Sequence, residues 1–265
     1  MKKLLMIIVI TLVIATYISY LQNKNSTTVV VSKEVIDSPD SPSSLKIMTY
    51  NIRHGVGLDG KLDLDRIASI IKDSGADIIG LNEVDKGMIR TNFKNQVEYL
   101  AGKLEMNYVF GPTVNRVIGS YGNAILTRFP IKEASNHILP GEPGSEKRGL
   151  LTAKILLPDH RYSYIIITHL SLNKRDRERQ LNWIENYLAR LENPFILMGD
   201  FNTELKTGFA YKPLLQGVKT YPADKAKDEI DLYFSNLNYK LINGYTLASK
   251  ASDHLPVVVE LKASA

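Results

Sequence analysis

The sequence contains no cysteine, and this absence removes several classes of function at once. A disulfide framework, a thiolate zinc site, a cysteine nucleophile and a lipidated N-terminal cysteine all require that residue. Extracytoplasmic proteins often use disulfides, but a chain of 265 residues can build a core large enough to fold without them. Any chemistry must therefore come from oxygen and nitrogen side chains.

The chain also lacks a strong excess of charge of either sign. It has 33 basic and 28 acidic side chains, a formal net charge of +5. Nucleic-acid-binding proteins usually concentrate basic residues on one face, so this mild balance neither indicates nor excludes such a partner. Hydrophobic residues make up 44% of the chain, which is ordinary for a globular protein. Residues 45–265 therefore fit one large domain or two small ones.

The longest uncharged run lies at the N-terminus. Lys2 and Lys3 precede 18 residues without a charge, residues 4–21. As a helix this run is about 27 Å long, close to the hydrocarbon thickness of a bilayer. The two lysines favour a cytoplasmic N-terminus. We predict that residues 1–21 form an uncleaved signal anchor, a transmembrane helix that holds the rest of the chain on the extracytoplasmic side of the cell membrane.

Two further expectations concern this region. The alternative is a signal peptide whose cleavage releases a secreted protein, although the uncharged run is long for a signal peptide. Tyr17 and Tyr20 also interrupt the cleavage pattern that Ala15 and Ser19 suggest. Residues 22–44 are rich in Ser, Thr, Asn, Asp and Pro, which predicts a flexible linker.

Short apolar runs and helical patterns share the remaining chain. Predicted strands are 45–52, 77–81, 106–110, 122–127, 131–138, 150–157, 162–168, 195–198, 230–234 and 256–261. Predicted helices are 62–72, 95–104 and 174–191, and Asp63 is placed to open the first of them. Strands occur both as hairpins and alternating with helices. This mixture indicates an α/β domain of packed sheets with outer helices.

Polar residues follow the apolar strands repeatedly. Each of them alone more often caps a turn than binds a ligand. Together they supply four carboxylates, three asparagines and two histidines at strand termini, where rigid scaffolds present catalytic groups. The residues are Asn51, Asn82, Glu83, His169, Asp200, Asn202, Asp231, Asp253 and His254. Divalent-metal phosphate chemistry needs such a set, because hard cations prefer oxygen ligands and imidazolium stabilises phosphoryl oxygens.

The strings that carry these residues resemble a known family. They are TYNI (49–52), LNEV (81–84), GNAILTRFP (122–130), ITHLS (167–171), GDFN (199–202), EIDLYF (229–234) and SDH (252–254). They resemble, in the same order, the motifs of the endonuclease/exonuclease/phosphatase superfamily. The resemblance covers residues 45–262, nearly the whole of the predicted domain 45–265. It implies a four-layer αββα sandwich, in which two mixed β-sheets pack face to face with helices outside.

The resemblance also implies a metal centre. Glu83 matches the principal ligand of Mg²⁺ or Mn²⁺, and Asn51 and Asp253 match residues that adjoin the metal. Asp200 matches the residue that orients or deprotonates the attacking water, and Asn202 matches a contact to the phosphate or that water.

The histidines complete the implied site. His254 matches the histidine that donates to a phosphoryl oxygen while Asp231 holds it charged, and His169 matches a second phosphate contact. Asn123 and Arg148 fall where the family often contacts phosphate. The basic residues that open the helix at 174 fit a solvated face better than an anion site. His54, His137 and His160 are interpreted as ordinary surface or loop residues.

Reaction class follows from such a site, but the substrate does not. The predicted anchor favours a phosphodiesterase or phosphatase that acts on lipid headgroups or other extracellular phosphoesters. A cell-surface nuclease that scavenges nucleic acid is the alternative. A non-catalytic binding module is less favoured, because the metal glutamate, the GDFN aspartate and the terminal histidine are all present. We expect the protein to be a monomer.

Overall fold

The computed structural model of the chain describes residues 44–203 and 231–263, together with 29–31, 219–220 and the N-terminal residues 6, 8–14 and 17. Those N-terminal residues are helical, whereas most of the predicted linker and part of the predicted anchor lie outside the described residues. Within the described part of the chain, no helix is both long and apolar enough to cross a membrane.

The described elements alternate short strands with three α-helices. The strands are β1 (Val29–Val31), β2 (Leu45–Asn51), β3 (Ile78–Lys86), β4 (Asn107–Asn115), β5 (Ser120–Thr127), β6 (Ile131–Ile138), β7 (Gly149–Leu156), β8 (Tyr162–His169), β9 (Phe195–Asp200), β10 (Lys219–Thr220), β11 (Asp231–Ser235), β12 (Tyr239–Thr246) and β13 (Val257–Ala263). The helices are α1 (Leu64–Ser74), α2 (Gln96–Leu104) and α3 (Lys174–Leu188), with 3₁₀ turns at Arg53–Gly55 and Ile89–Thr91.

The strands form two sheets. Among the described residues, one sheet has seven strands in the order β1-β4-β5-β3-β2-β13-β12, and the other has six in the order β10-β11-β9-β8-β7-β6. Both sheets are mixed, because β2 runs parallel to β3 and β8 runs parallel to β9 while the other pairs are antiparallel. Two parallel pairs, one in each sheet, therefore bring four strand ends to one edge of the molecule.

Alternation along the strands explains the layers. In β2, Ile47 faces the core between the sheets, while Met48 and Tyr50 face the helices α1 and α2. In β8, Ile165 and Ile167 face the inner core and Ile166 faces α3. Both faces of these strands are buried, so their sequences are continuous apolar runs. The predicted αββα sandwich is confirmed.

Helix ends follow from local chemistry. Asp63 caps α1, because its Oδ1 accepts a hydrogen bond from the amide of Arg66 at 2.9 Å, as the sequence predicted. Gly75 ends the helix in the left-handed conformation. Helix α3 ends at Leu188 rather than at the predicted residue 191.

Several boundaries differ from the sequence prediction. Strand β3 runs five residues beyond the predicted end at Leu81, because a bulge between Leu81 and Val84 lets it resume pairing with β5. Strand β12 was not predicted, since a bulge between Leu241 and Asn243 breaks the alternation and leaves the adjacent Leu241 and Ile242 both exposed. Within the stretch predicted as a linker, Val29–Val31 pair with β4 at the edge of the larger sheet.

Candidate active site

The candidate site lies where strand ends of the two sheets meet. In the parallel pair β2 and β3, Asn51 lies beside Asn82, and in the parallel pair β8 and β9, His169 lies beside Asp200. The antiparallel strand β11 begins at the same edge, with Asp231 opposite Asp200. Carboxyl ends of parallel strands and the start of an antiparallel neighbour thus gather polar groups that are distant in sequence.

The segment before β13 reaches the same edge. Val257 pairs with Thr49 near the end of β2, so residues 252–254 lie over Asn51. The hydroxyl of Ser252 donates to the carbonyl of Asn51 at 2.7 Å and accepts from the amide of His254 at 3.3 Å. This turn fixes where the His254 ring enters the site.

Asn82 joins the two sheets beneath the site. Its Nδ2 donates to the carbonyl of Thr168 at 3.0 Å, and its Oδ1 accepts from the amide of Asp200 at 3.1 Å. Asn123 supports it, because its Oδ1 accepts from Asn82 at 2.9 Å and its Nδ2 donates to the carbonyl of Gly149 at 3.2 Å. Asn123 is buried, so the structure makes it part of this scaffold rather than a direct phosphate contact.

Glu83 occupies a strained position in the bulge of β3. Its φ of 60° is in the left-handed region that non-glycine residues rarely adopt. Asn51 spans the gap to the next carboxylate, since its Nδ2 donates at 3.1 Å both to Glu83 Oε1 and to Asp200 Oδ2. Glu83, placed in this bulge, therefore shares the Asn51 amide with Asp200.

His54, whose sequence context indicates an ordinary surface or loop residue, is a neighbour of Glu83. A tight turn with φ of 44° brings its Nδ1 to 3.9 Å from Glu83 Oε2. Burial opposes the ionisation of Glu83, but nearby His54 and the Asn51 amide lower its pKa to about 2. Glu83 is therefore a carboxylate at neutral pH, as a ligand for a hard cation must be.

Asp200 is the centre of the site. It is buried, its Oδ1 accepts from the amide of Asn202 at 2.9 Å, and its Oδ2 lies 3.4 Å from His169 Nε2 and 3.6 Å from His254 Nε2. Burial and the charge of Asp231 raise the pKa of Asp200 to about 6. A carboxylate with a pKa near neutrality is a suitable general base.

His254 lies between two carboxylates. Its Nδ1 is 3.0 Å from Asp231 Oδ2, opposite the nitrogen that faces Asp200. Burial alone lowers the pKa of His254, but the hydrogen bond and charge of Asp231, with Asp200, raise it to about 9. With a pKa of about 9 the ring carries a proton at neutral pH, and Asp231 is its hydrogen-bonded partner.

His169 has the opposite character. It is buried, and burial together with the positive charge of Arg148 lowers its pKa to about 3. At neutral pH its ring is uncharged, so it can donate one hydrogen bond without adding charge to the site. Two histidines on either side of Asp200 thus hold different protonation states.

Asn202 and Asp253 lie at the margins of the site. Asn202 lines the cleft with a φ of 50°, and its Nδ2 donates to the carbonyl of Leu170 at 2.8 Å. Asp253 is half-exposed, and its Oδ2 lies 3.4 Å from Arg53 Nε. A metal bound by Asp253 would therefore compete with Arg53 for the same carboxylate.

The cleft above these groups has a volume of about 380 Å³ and is lined by cations that the sequence mostly did not single out. Arg148, predicted to contact phosphate, is only 10% exposed; its Nη1 lies 3.2 Å from Glu146 Oε1, and its buried Nε has no hydrogen-bond partner among the described residues. Arg90 and Arg116 also line the cleft. Arg90 lies over the ring of Tyr121 at 5.3 Å and is held by the buried Asp85 at 2.7 Å. Such a wall suits an anionic ligand.

The donor chemistry fits a divalent cation. Asp200, Asp231 and His254 bring ligand atoms within 4.8 Å of one another and can hold an ion. However, both ring nitrogens of His254 face carboxylates, and its raised pKa opposes loss of the proton that a metal must displace. Glu83, ionised and partly exposed beside Asn51, is therefore the better anchor for the metal.

Comparisons with known proteins bear on the same residues. Residues 48–254 match the model of the endonuclease/exonuclease/phosphatase family. The uncharacterized protein YbhP of Escherichia coli K12 is 28% identical over 170 residues, which cover 60% of this chain and 67% of that protein.

Solved structures are similar over most of the chain. An endonuclease/exonuclease/phosphatase from Beutenbergia cavernae superposes with a TM-score of 0.68 at 25% identity, over 84% of this chain and 72% of that one. A mannosyl-6-phosphatase from Bacteroides thetaiotaomicron gives a TM-score of 0.63 at 21% identity, over 82% of this chain and 99% of that one. The second likeness shows the fold alone.

Proposed function

The chain belongs to the endonuclease/exonuclease/phosphatase family, as its motifs predicted, and we propose that it is a divalent-metal-dependent phosphoesterase. Members of this family are hydrolases, and the chain has their phosphoesterase and nuclease fold. The single observation that carries the proposal is the environment of Asp200. A buried carboxylate with a raised pKa lies between a neutral and a charged histidine, beside an ionised glutamate.

The proposed roles follow from these protonation states. Asp200 accepts the proton of the attacking water, and Asn202 orients that water or the phosphate. His254, held by Asp231, donates to a phosphoryl oxygen on which charge accumulates, and His169 donates to another. Arg148 compensates substrate charge from the cleft wall.

Glu83 and Asn51 are the proposed holders of Mg²⁺ or Mn²⁺, with Asp253 adjoining. When bound, the ion polarises a phosphoryl oxygen and neutralises its charge. Asn51 donates its amide to both carboxylates, so direct ligation needs its Oδ1 to turn toward the ion. Its other proposed role is to hold Glu83 and Asp200 apart.

The substrate and the location are proposed from the N-terminal sequence. A signal anchor over residues 1–21 holds the catalytic domain, a monomer, outside the cytoplasm at the cell membrane and within reach of lipid headgroup phosphoesters. The three cleft arginines favour a second candidate, a cell-surface nuclease, because they suit a polyanionic backbone.

A phosphoester panel tests the proposal. The full chain in detergent is assayed with Mg²⁺ or Mn²⁺ against bis-p-nitrophenyl phosphate, p-nitrophenyl phosphate, plasmid DNA, phospholipids and phosphatidylinositols, with Asp200→Asn as the matched control. The proposal predicts hydrolysis that stops in EDTA, returns with metal and is lost in the variant. Full activity in EDTA contradicts the metal dependence, and preference within the panel separates the lipid and nucleic-acid candidates.

A further inference from the structure

Two neighbouring loops expose large apolar side chains beside the cleft. We define them as the rim loops, residues 86–94 from the last residue of β3 onward and residues 115–119 from the last residue of β4 to the start of β5. Ile89 and Phe93 of the first loop are 62% and 61% exposed, and Val117 and Ile118 of the second are 49% and 48% exposed. Single exposed apolar residues are ordinary, but four on two short segments are not.

The rim loops form one surface because their backbones touch. A Cβ atom on Gly119 would lie 2.5 Å from the carbonyl carbon of Gly87, so only glycine permits this approach. The amide of Arg116 donates to the carbonyl of Gly119 at 3.0 Å, which closes the hairpin against the first loop. Ile118 is therefore held beside the loop that carries Ile89 and Phe93.

The same surface borders the mouth of the cleft. Met88 and Arg90 of the first loop and Arg116 of the second line the cleft together with Asp200. Leu172, which is 77% exposed, lines the cleft as well. A flat partner that covers the rim loops therefore faces the catalytic groups.

Charge on the rim loops is of one sign. Their sequences, KGMIRTNFK and NRVIG, contain four basic residues and no acidic residue. Arg90 is paired with Asp85, whereas Lys94 and Arg116 are exposed on the rim loops. Aliphatic and aromatic side chains interleaved with cations suit a partner with an apolar interior and an anionic face, which is the composition of an anionic bilayer surface.

We propose that the rim loops dock onto the surface of a bilayer that contains anionic lipid, with Ile89, Phe93, Val117 and Ile118 inserted at the headgroup level. Lys94 and Arg116 then contact lipid phosphates. This surface orients the cleft toward the headgroups, which an anchor over residues 1–21 does not do by itself. Docking does not depend on the proposed hydrolysis, because no proposed catalytic residue belongs to the rim loops.

Site-specific labelling tests the docking, since the chain has no cysteine of its own. Phe93→Cys or Ile118→Cys in the full chain carries a polarity-sensitive fluorophore. Ile242→Cys is the matched control, because Ile242 is 52% exposed on β12. This strand is the edge strand of the larger sheet that is separated from β3 by β2 and β13. The proteins are reconstituted into phosphatidylcholine vesicles with and without phosphatidylglycerol.

With phosphatidylglycerol in the vesicles, docking predicts that the emission of probes at positions 93 and 118 shifts to the blue and rises several-fold. Lipids that carry a nitroxide on the acyl chain should quench this emission. The probe at 242 should not change. Equal responses at 93 and 242, or a water-exposed probe at 93 and 118, overturn the proposal. An equal response on pure phosphatidylcholine overturns the anionic preference. A response without vesicles that rises with protein concentration indicates a second copy as the partner and also overturns it.

A paired variant separates docking from catalysis. Ile89→Ser with Phe93→Ser should abolish the emission change of the probe at 118 while hydrolysis of soluble bis-p-nitrophenyl phosphate stays at the parent rate. Asp200→Asn should dock as the parent does. Loss of docking in Asp200→Asn contradicts the separation, whereas failure of hydrolysis alone leaves the docking result standing.

Discussion

The ring of His254 is bound to Asp231 at 3.0 Å through Nδ1, while its other nitrogen lies 3.6 Å from Asp200. One carboxylate therefore keeps the imidazole charged, and the ring in turn offers a proton donor beside the proposed base. The pKa of Asp200 is raised to about 6 and that of His254 to about 9, so both occupy their required protonation states only between these values.

The pH profile of hydrolysis should be bell-shaped. Activity rises as pH increases through about 6, because Asp200 loses its proton, and falls as pH increases through about 9, because His254 loses its proton. Asp231→Asn removes the largest contribution that raises the His254 pKa and leaves burial, which lowers it, less opposed, so the alkaline limb should move to lower pH. Rates of bis-p-nitrophenyl phosphate hydrolysis against pH measure this.

Asp159→Asn is the control for that variant, since Asp159 pairs with Arg161 in the turn between β7 and β8. Its alkaline limb should stay in place. If the limb also stays in place in Asp231→Asn, the pairing does not set the charge of His254, and Asp231 is better explained as a metal ligand.

Glu83→Gln should raise the metal concentration needed for half-maximal activity sharply, because an amide replaces a carboxylate that is held ionised and partly exposed at the site. Titration of activity with Mg²⁺ and Mn²⁺ measures the change. Glu133→Gln, an exposed position on β6, is the matched control. An unchanged metal requirement in Glu83→Gln would move the metal site to the group of Asp200, Asp231 and His254.

Arg148→Met should lower kcat/KM by on the order of 10²-fold, the usual scale for a buried group that stabilises transition-state charge. It should also raise the pKa of His169, since the charge of Arg148 is the second cause, after burial, that lowers it. Histidine titration by NMR, simplified by the five histidines of the chain, measures that shift. Arg161→Met should change neither quantity, and a parent-like rate in Arg148→Met argues against a substrate contact.

Protease added to intact cells should remove the domain and leave a fragment near residues 1–21, because Lys2 and Lys3 favour a cytoplasmic N-terminus. Immunodetection with tags at both ends follows the fragments. Protection of the domain until the cells are lysed reverses the proposed orientation, and an intact domain in the medium indicates cleavage.

Strand ends are the part of the site that the sequence predicted well. Asp200 and His169 each follow an apolar run, and parallel pairing necessarily brings such ends to one edge. Asp231 and His254 also stand at strand ends in the sequence, but they arrive at this edge through antiparallel strands whose pairing no local pattern reveals. Only the family resemblance therefore indicated that they meet Asp200. Glu83 was identified by its motif, but the bulge that extends β3 was not predicted.

The parts that escaped prediction depend on long-range or strained geometry. His54 lies near Glu83 because of a turn with positive φ, and the local sequence does not predict that turn. Arg90 and Tyr121 line the cleft because the two rim loops touch at Gly87 and Gly119. Asn123 lies in the expected motif, yet its amide is used by Asn82 and Gly149 of other strands. These relationships arise only after the sheets have packed.

The central claim is that Asp200 acts as the base of a metal-dependent phosphoester hydrolysis. Its direct test is the rate of bis-p-nitrophenyl phosphate hydrolysis by Asp200→Asn and by the parent chain, with saturating Mg²⁺ or Mn²⁺, across the pH range. Asparagine retains the shape but cannot accept the proton, so the variant should lose on the order of 10²-fold or more at every pH. A variant that hydrolyses the substrate at the parent rate would contradict the account.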